Sequence, residues 1–154
     1  MTTPITPHAK NHAGLGPLAS RFVRVAELPW EKTRYAGVET KTLFLDTAHG
    51  QVTVLMKMAP GSVLPDHEHV RVEQTYMLSG RLVDQAGPDA GSEAGPGDFV
   101  WRPAGSRHAA WAPDGALMLA IFQIPNKFFE PDGTVLDVLG QPWDTHWKSA
   151  LGAE

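Results

Sequence analysis

The 154-residue sequence contains no cysteine. Disulfide bonds, thiolate catalysis and sulfur-ligated metal are therefore excluded. It has no run of lysine and arginine and a formal net charge of −4, so nucleic acid and anionic membranes are not expected partners. No apolar run approaches the roughly 20 residues of a membrane span, and the first residues do not resemble a signal peptide. These absences predict a cytoplasmic protein.

Glycine and proline are abundant instead, with 15 and 13 residues. Turns rich in these residues separate short runs in which apolar and polar residues alternate, as in 51–58, and this pattern favours β-strands over helices. Strands at this spacing predict an all-β antiparallel barrel or double sheet. The predicted strands are Phe22–Ala26, Thr40–Asp46, Gln51–Met58, Val72–Leu78, Arg81–Gln85, Asp98–Arg102, His108–Ala112 and Ala116–Ile124.

The length is typical of one domain. Residues 1–20 lack periodicity, and we expect a flexible arm there, or one ordered against a partner subunit. Residues 21–154 form the predicted domain. Near its end, Pro131-Asp132-Gly133 predicts a hairpin between Phe128-Phe129 and Thr134–Val138, and Trp143–Leu151 predicts one short helix.

Two blocks carry the chemistry. The first spans residues 61–80 with the pattern G-x5-H-x-H-x3-E-x6-G, and the second spans 97–112 and contains G-x5-P-x-G-x2-H. They supply three imidazoles and one carboxylate, from His67, His69, Glu73 and His108. Nitrogen and oxygen donors of this kind suit a divalent transition metal. The alternative is that these histidines are unrelated surface or core residues.

Strand geometry supports the metal hypothesis. His67 and His69 are two residues apart, so an extended strand places both rings on one face, and Glu73 keeps the same parity. Parity would also turn Arg71 inward, so a bend or bulge is expected in the stretch 70–72. His108 must come from another strand, and together these side chains can surround one ion.

Both blocks match the two signature motifs of the cupin superfamily, the RmlC-like jelly rolls. This resemblance implies a double-stranded β-helix, usually dimeric, with one divalent metal ion per chain. Carried over residue by residue, the implied ligands are His67, His69, Glu73 and His108. The last position of the second motif is often asparagine and here is Ala112, which is not a ligand position. Fe(II) is expected if the protein is an enzyme, and zinc, nickel or manganese can also bind such donors.

A narrower resemblance lies outside the motifs. The strand Gln51–Met58 with its turn, and the segment from Lys127 through Trp143, are similar to two groups of single-domain cupins. One group comprises dioxygenases that cleave acetylacetone or dihydroxyacetophenone. The other is the ChrR-type cupin found at the end of zinc-binding anti-sigma factors.

Three functions follow from these resemblances. The favoured hypothesis is a non-haem Fe(II) dioxygenase that cleaves a C–C bond in a small diketone or hydroxyketone, with no catalytic residue beyond the metal ligands. The first alternative is a non-catalytic, zinc-binding sensor of the ChrR type. The second is a cupin isomerase or sugar-binding protein, which usually requires more polar pocket residues.

The dioxygenase hypothesis requires an apolar, dry pocket for a small organic substrate. Candidate lining residues near the motifs are Met56, Met58, Phe99, Trp101, Trp111, Met118, Phe122 and the polar Gln123. Other polar residues there, Gln74, Tyr76, Arg102 and Arg107, could orient a substrate carbonyl, but each is expected instead to be solvated or to make structural hydrogen bonds. The alternate face of Val72–Leu78, with Tyr76 and Leu78, is the expected surface of a homodimer.

Overall fold

The computed structural model describes residues 4–124 and 126–137, and within them the chain is nearly all β. Twelve strands are present in this part of the chain. Their bounds are β1 Glu31–Lys32, β2 Val38–Asp46, β3 Gln51–Met58, β4 Ser62–Glu68, β5 Glu73–Gly80, β6 Leu82–Asp84, β7 Glu93–Ala94, β8 Phe99–Arg102, β9 Arg107–Ala112, β10 Ala116–Gln123, β11 Lys127–Phe129 and β12 Val135–Asp137.

The strands form two antiparallel six-stranded sheets, in the orders β1-β2-β3-β10-β5-β8 and β12-β11-β4-β9-β6-β7. Alternate residues of β3, β9 and β10 are buried, so each sheet turns one apolar face inward. The buried side chains form one core, which includes Val54, Met77 and Phe122. This arrangement confirms the predicted all-β jelly roll.

The motif glycines occupy turns that other residues would strain. Gly80 ends the first motif with φ 69°, in the left-handed region. A Cβ at this position would overlap the carbonyl oxygen of Gly115 on the neighbouring turn. Glycine there lets β5 and β10 approach closely where their pairing ends.

Seven of the eight predicted strands overlap observed ones, but Phe22–Ala26 is wrong. Residues Val25–Glu27 form a 3-10 turn, and Phe22 is 67% exposed. The carbonyl oxygen of Phe22 accepts a hydrogen bond from the Asn11 side chain at 2.9 Å instead of joining a sheet ladder. Strand propensity in this run did not decide its structure because pairing depends on tertiary context.

The two ends of the chain are only partly described. Ile5 forms a β-bridge with Leu45, and the Thr6 hydroxyl donates to the Leu43 carbonyl at 2.7 Å, so the structure attaches this part of the predicted arm to β2. The predicted hairpin pairs as β11 and β12. The predicted helix Trp143–Leu151 lies outside the described residues. In the described part of the chain, no helix has the length and apolar character needed to cross a membrane.

Candidate metal centre

The three predicted histidines are positioned by two neighbouring strands. His67 on β4 and His108 on β9 are direct partners in the antiparallel register. His69 follows the end of β4, and the backbone continues the pairing there, with the His69 N–H donating to the Ser106 carbonyl at 2.9 Å and the Gly105 N–H donating to the His69 carbonyl at 2.7 Å. The second motif's turn therefore aligns His108 with both histidines of the first.

The imidazoles converge inside the protein. His67, His69 and His108 are 2%, 1% and 5% exposed. One ring nitrogen of each lies within 4.8 Å of the others, and this group could hold a metal ion. The Nε2 atoms of His69 and His108 are 3.0 Å apart. The group within the described residues contains these three histidines and not Glu73.

The partners of Nδ1 determine which nitrogen is available to an ion. His67 Nδ1 is 2.7 Å from the Pro65 carbonyl oxygen, and His108 Nδ1 is 3.1 Å from Asp84 Oδ1. Both partners are acceptors, so each Nδ1 carries a proton and donates it. The lone pair of each neutral ring is then on Nε2.

Glu73 stands beside His69 rather than among the converging nitrogens. Its Oε2 is 3.0 Å from His69 Nδ1, an ion-pair distance, although the contact lacks the alignment of a hydrogen bond. Its Oε1 accepts a hydrogen bond from the Thr75 hydroxyl at 3.1 Å. Burial by itself would raise the pKa of the Glu73 carboxyl, but His69, His67 and Arg102 lower that pKa to about 2. Glu73 is therefore an ionised carboxylate near neutral pH.

The expected bend before Glu73 is present. Strand β4 ends at Glu68, residues 70 and 71 form a bend, and β5 begins at Glu73. Arg71 is exposed as a result. The bend keeps a cation away from the histidines, as the sequence analysis required.

The residues proposed to line a substrate pocket occupy different surroundings. Met56, Met58, Met118 and Phe122 belong to the buried core. Phe99 and Trp101 are 56% and 60% exposed, on the outward side of β8. Trp111 and Gln123 are half-buried. Of this set, Phe99 and Trp101 border a cavity that His108 also lines, and the other members are not among the residues that line it.

A cavity of about 510 Å³ opens next to His108. Its lining mixes apolar residues, such as Leu82, Val100 and Trp101, with the polar residues Asp84, Arg102 and Ser106. Sequence reasoning gave no role to Asp84 and expected Arg102 to be solvated or structural. The parity of Asp84 with the apolar Leu82 in a predicted strand was a signal that it faces inward.

The donor set fits a divalent metal ion. Two nitrogens at roughly 2.1 Å from one ion, placed at right angles around it, are about 3.0 Å apart. The His69 and His108 Nε2 atoms have this separation, at 3.0 Å. Without a cation or a proton between them, two lone pairs would face each other in a buried site. A metal ion held by the three Nε2 atoms would remove that repulsion.

The model of the ChrR cupin-like domain family matches residues 19–126 of the chain. The chain belongs to this family. The match includes both motif blocks and all three converging histidines. The cupin fold and the three-histidine site together support the conclusion that this chain is a metal-binding cupin. The nitrogen donors do not by themselves select which metal binds.

Solved structures of this fold come from several proteins. An acetylacetone dioxygenase from Acinetobacter johnsonii is 16% identical, with a TM-score of 0.71 over 86% of this chain and 93% of that one. A candidate acetylacetone dioxygenase from Methylibium petroleiphilum is 20% identical, with a TM-score of 0.71 over 90% and 99%. The Rhodobacter sphaeroides SigE–ChrR complex matches at 24% identity and a TM-score of 0.52, over 65% and 51%.

At these identities the similarity establishes the fold and no activity. A comparison with proteins of curated function found none that matches this cupin.

Proposed function

We propose that this cupin is a non-haem Fe(II) dioxygenase that cleaves a C–C bond in a small diketone or hydroxyketone. The observation that carries the proposal is the convergence of three buried imidazole nitrogens, with the Glu73 carboxylate turned toward the outer nitrogen of His69. Three protein donors leave coordination positions open, and a substrate with two neighbouring oxygens can use them.

Similarity to solved structures adds support. The chain aligns with 93% and 99% of the two acetylacetone dioxygenase chains, the second a candidate, but with 51% of the SigE–ChrR chain. A bound iron would supply Lewis acidity and a place for O2 beside the substrate. In the balanced reaction of a 1,3-diketone, one C–C bond breaks and O2 adds one oxygen atom to each fragment, giving a carboxylic acid and an α-keto aldehyde.

The protein's own groups have defined tasks in this proposal. The three histidines would hold the ion through Nε2. Their Nδ1 atoms face the Pro65 carbonyl for His67, Asp84 for His108 and Glu73 for His69. Because the three imidazole rings are buried, water is kept away from their ligating nitrogens. Arg102 and Ser106 line the neighbouring cavity and can donate hydrogen bonds to a substrate carbonyl.

Oxygen uptake tests the proposed reaction. Protein loaded anaerobically with Fe(II) is expected to consume O2 when a panel of 1,3-diketones and 2-hydroxyketones is added, with one O2 per molecule cleaved. The Zn(II)-loaded protein is the matched control, because zinc occupies the same donors without redox chemistry. If fully Fe(II)-loaded protein consumes no O2 with any member of the panel, the proposed dioxygenase activity is contradicted.

The family match favours a second candidate, a zinc-binding sensor without catalysis. It predicts that zinc is the metal found in protein purified from its own host and that the iron form has no turnover. Metal analysis of that protein, paired with the uptake assay, separates the two functions.

We also propose that the protein forms a homodimer through the outer face of β10, β5 and β8. The outward positions of these strands hold no charged side chain in the part of the chain that the structure describes. Apolar residues exposed on this face are Tyr76, Leu78, Phe99, Trp101 and Ile121. Tyr76, Phe99 and Trp101 are 46%, 56% and 60% exposed, so about half of the roughly 150–250 Å² that each such side chain can bury is still available toward the ~800 Å² that a standard interface needs from each partner.

Tyr76→Lys tests this dimer. Tyr76 pairs with Phe99 on one side and Leu119 on the other, so it lies in the middle of the apolar face. Light scattering is expected to give twice the 16.7 kDa chain mass for the wild type and the mass of one chain for the variant. Val135→Lys is the control, because Val135 is 50% exposed on β12, at the edge of the other sheet. A monomeric wild type at micromolar concentration would contradict the dimer.

A further inference from the structure

A buried ion pair joins the two sheets beside His108. Arg102 ends β8 in the first sheet, and Asp84 ends β6 in the second. Arg102 Nη1 donates to Asp84 Oδ2 at 2.6 Å, and Nη2 donates to Oδ1 at 2.9 Å. The Arg102 and Asp84 side chains are 9% and 6% exposed, so both charges are desolvated. This bidentate contact fixes the position and the plane of the Asp84 carboxylate.

Stability alone is a weak reason for such a pair. A buried ion pair can often be replaced by apolar residues of similar size at little cost, because desolvation offsets the attraction between the charges. Here the carboxylate has a further partner, since Asp84 Oδ1 is 3.1 Å from His108 Nδ1. The pair therefore connects directly to one of the three converging histidines.

The contact selects one form of the imidazole. A neutral histidine carries its proton on either Nδ1 or Nε2, and only the first form presents a lone pair at Nε2. Because a carboxylate accepts hydrogen bonds, it favours His108 with the proton on Nδ1. We propose that Asp84, held by Arg102, is the positioning residue that keeps the His108 Nε2 lone pair and ring orientation ready for a metal ion. This inference rests on the proposed metal-binding function.

Arg102 also faces the second carboxylate of the site. Its Nε lies 3.9 Å from Glu73 Oε1 and has no hydrogen-bond partner among the described residues. Glu73 in turn stands beside His69 Nδ1 at 3.0 Å. One guanidinium thus lies between the two carboxylates that face the outer nitrogens of His69 and His108. Changes at Arg102 are therefore expected to affect both histidines.

The decisive variant removes both charges together. Asp84→Leu/Arg102→Met removes both charges of this pair, and the Glu73 carboxylate keeps its contacts with the Thr75 hydroxyl and His69, so the variant is expected to fold, as similar replacements do elsewhere. Asp114→Asn is the matched control, because Asp114 accepts from Arg81 at 2.7 Å in an exposed Arg–Asp pair away from the histidines. The measurements are Zn(II) affinity by chelator competition, thermal unfolding, and the His108 tautomer from ¹⁵N chemical shifts of the imidazole.

A positioning role predicts a folded double variant whose Zn(II) affinity is lower by about 10- to 100-fold, the usual effect of losing a residue that supports a ligand. Its His108 is expected to populate both tautomers in the metal-free protein, whereas Asp114→Asn matches the wild type. A folded double variant with wild-type affinity and tautomer would overturn the inference. If the double variant does not fold, Asp84→Asn decides by the same two readouts. Wild-type protein that binds no Zn(II) would instead contradict the proposed metal site.

Discussion

Replacing His67, His69 or His108 with alanine is expected to abolish stoichiometric metal binding, with a loss of affinity beyond about 100-fold. Each change removes one of the three converging nitrogens. Losing a residue that only supports a ligand costs about 10- to 100-fold, so losing a ligand costs more. The measurement is metal content per chain and chelator competition with Fe(II), Zn(II) and Mn(II), with circular dichroism as a check of the fold.

Two further variants give this experiment its contrast. His49→Ala is the control, because His49 pairs with Asp46 on the surface at 2.7 Å and its side chain is 78% exposed. Glu73→Ala is expected to have a milder effect than any of the three histidine variants, because three imidazoles can still hold an ion. If one of the three histidine variants keeps full metal content, that histidine is not a ligand. If Glu73→Ala loses all bound metal, the Glu73 carboxylate is a ligand.

Acid is expected to destabilise the protein strongly. In the metal-free protein, burial together with the nearby His108 and His69 lowers the pKa of His67 to about 3. The unfolded chain takes up this proton near the ordinary pKa of about 6.5. As pH falls from about 6.5 toward 3, the free energy of unfolding therefore decreases, by about 1.4 kcal/mol per pH unit for one such group.

Glu73 acts in the same direction at lower pH. Its pKa of about 2 in the folded protein means that its stabilising charge is present above its ordinary pKa of 4.5 and is lost as pH falls toward 2. Bound metal adds to the effect, because ligating histidines must be neutral and protons displace the ion below roughly pH 6. The metal-loaded protein is therefore expected to be the more stable at neutral pH and to lose that advantage in acid.

Urea unfolding of the metal-free protein at pH 7, 6, 5 and 4 measures the slope, and the metal-loaded protein is compared at each pH. The His67→Ala variant should show a shallower pH dependence than the wild type. A metal-free protein whose unfolding free energy is the same at pH 7 and pH 5 would contradict a buried neutral His67. An equal melting temperature with and without metal at pH 7 would contradict an ion held between strands.

The sequence by itself determined the class of fold and the three histidines of the site. Alternation in β3 and the glycine–proline turns specify strands because each strand must bury one face, and this information is local. His67 and His69 share a face through the same period of two. The resemblance of the double motif implied their relation to His108, and the register of β4 and β9 pairs His67 directly with His108.

Only the tertiary structure decided what surrounds those histidines. Asp84 and Arg102 belong to different sheets, so no spacing in the sequence reports that they meet beside His108. The same holds for Phe99 and Trp101, whose outward orientation on β8 follows from Val100 and Arg102 facing inward. Phe22–Ala26 has strand-forming residues but does not join a sheet. Local pattern determines which residues can form strands and share a face, whereas partners across the fold depend on how distant segments pack.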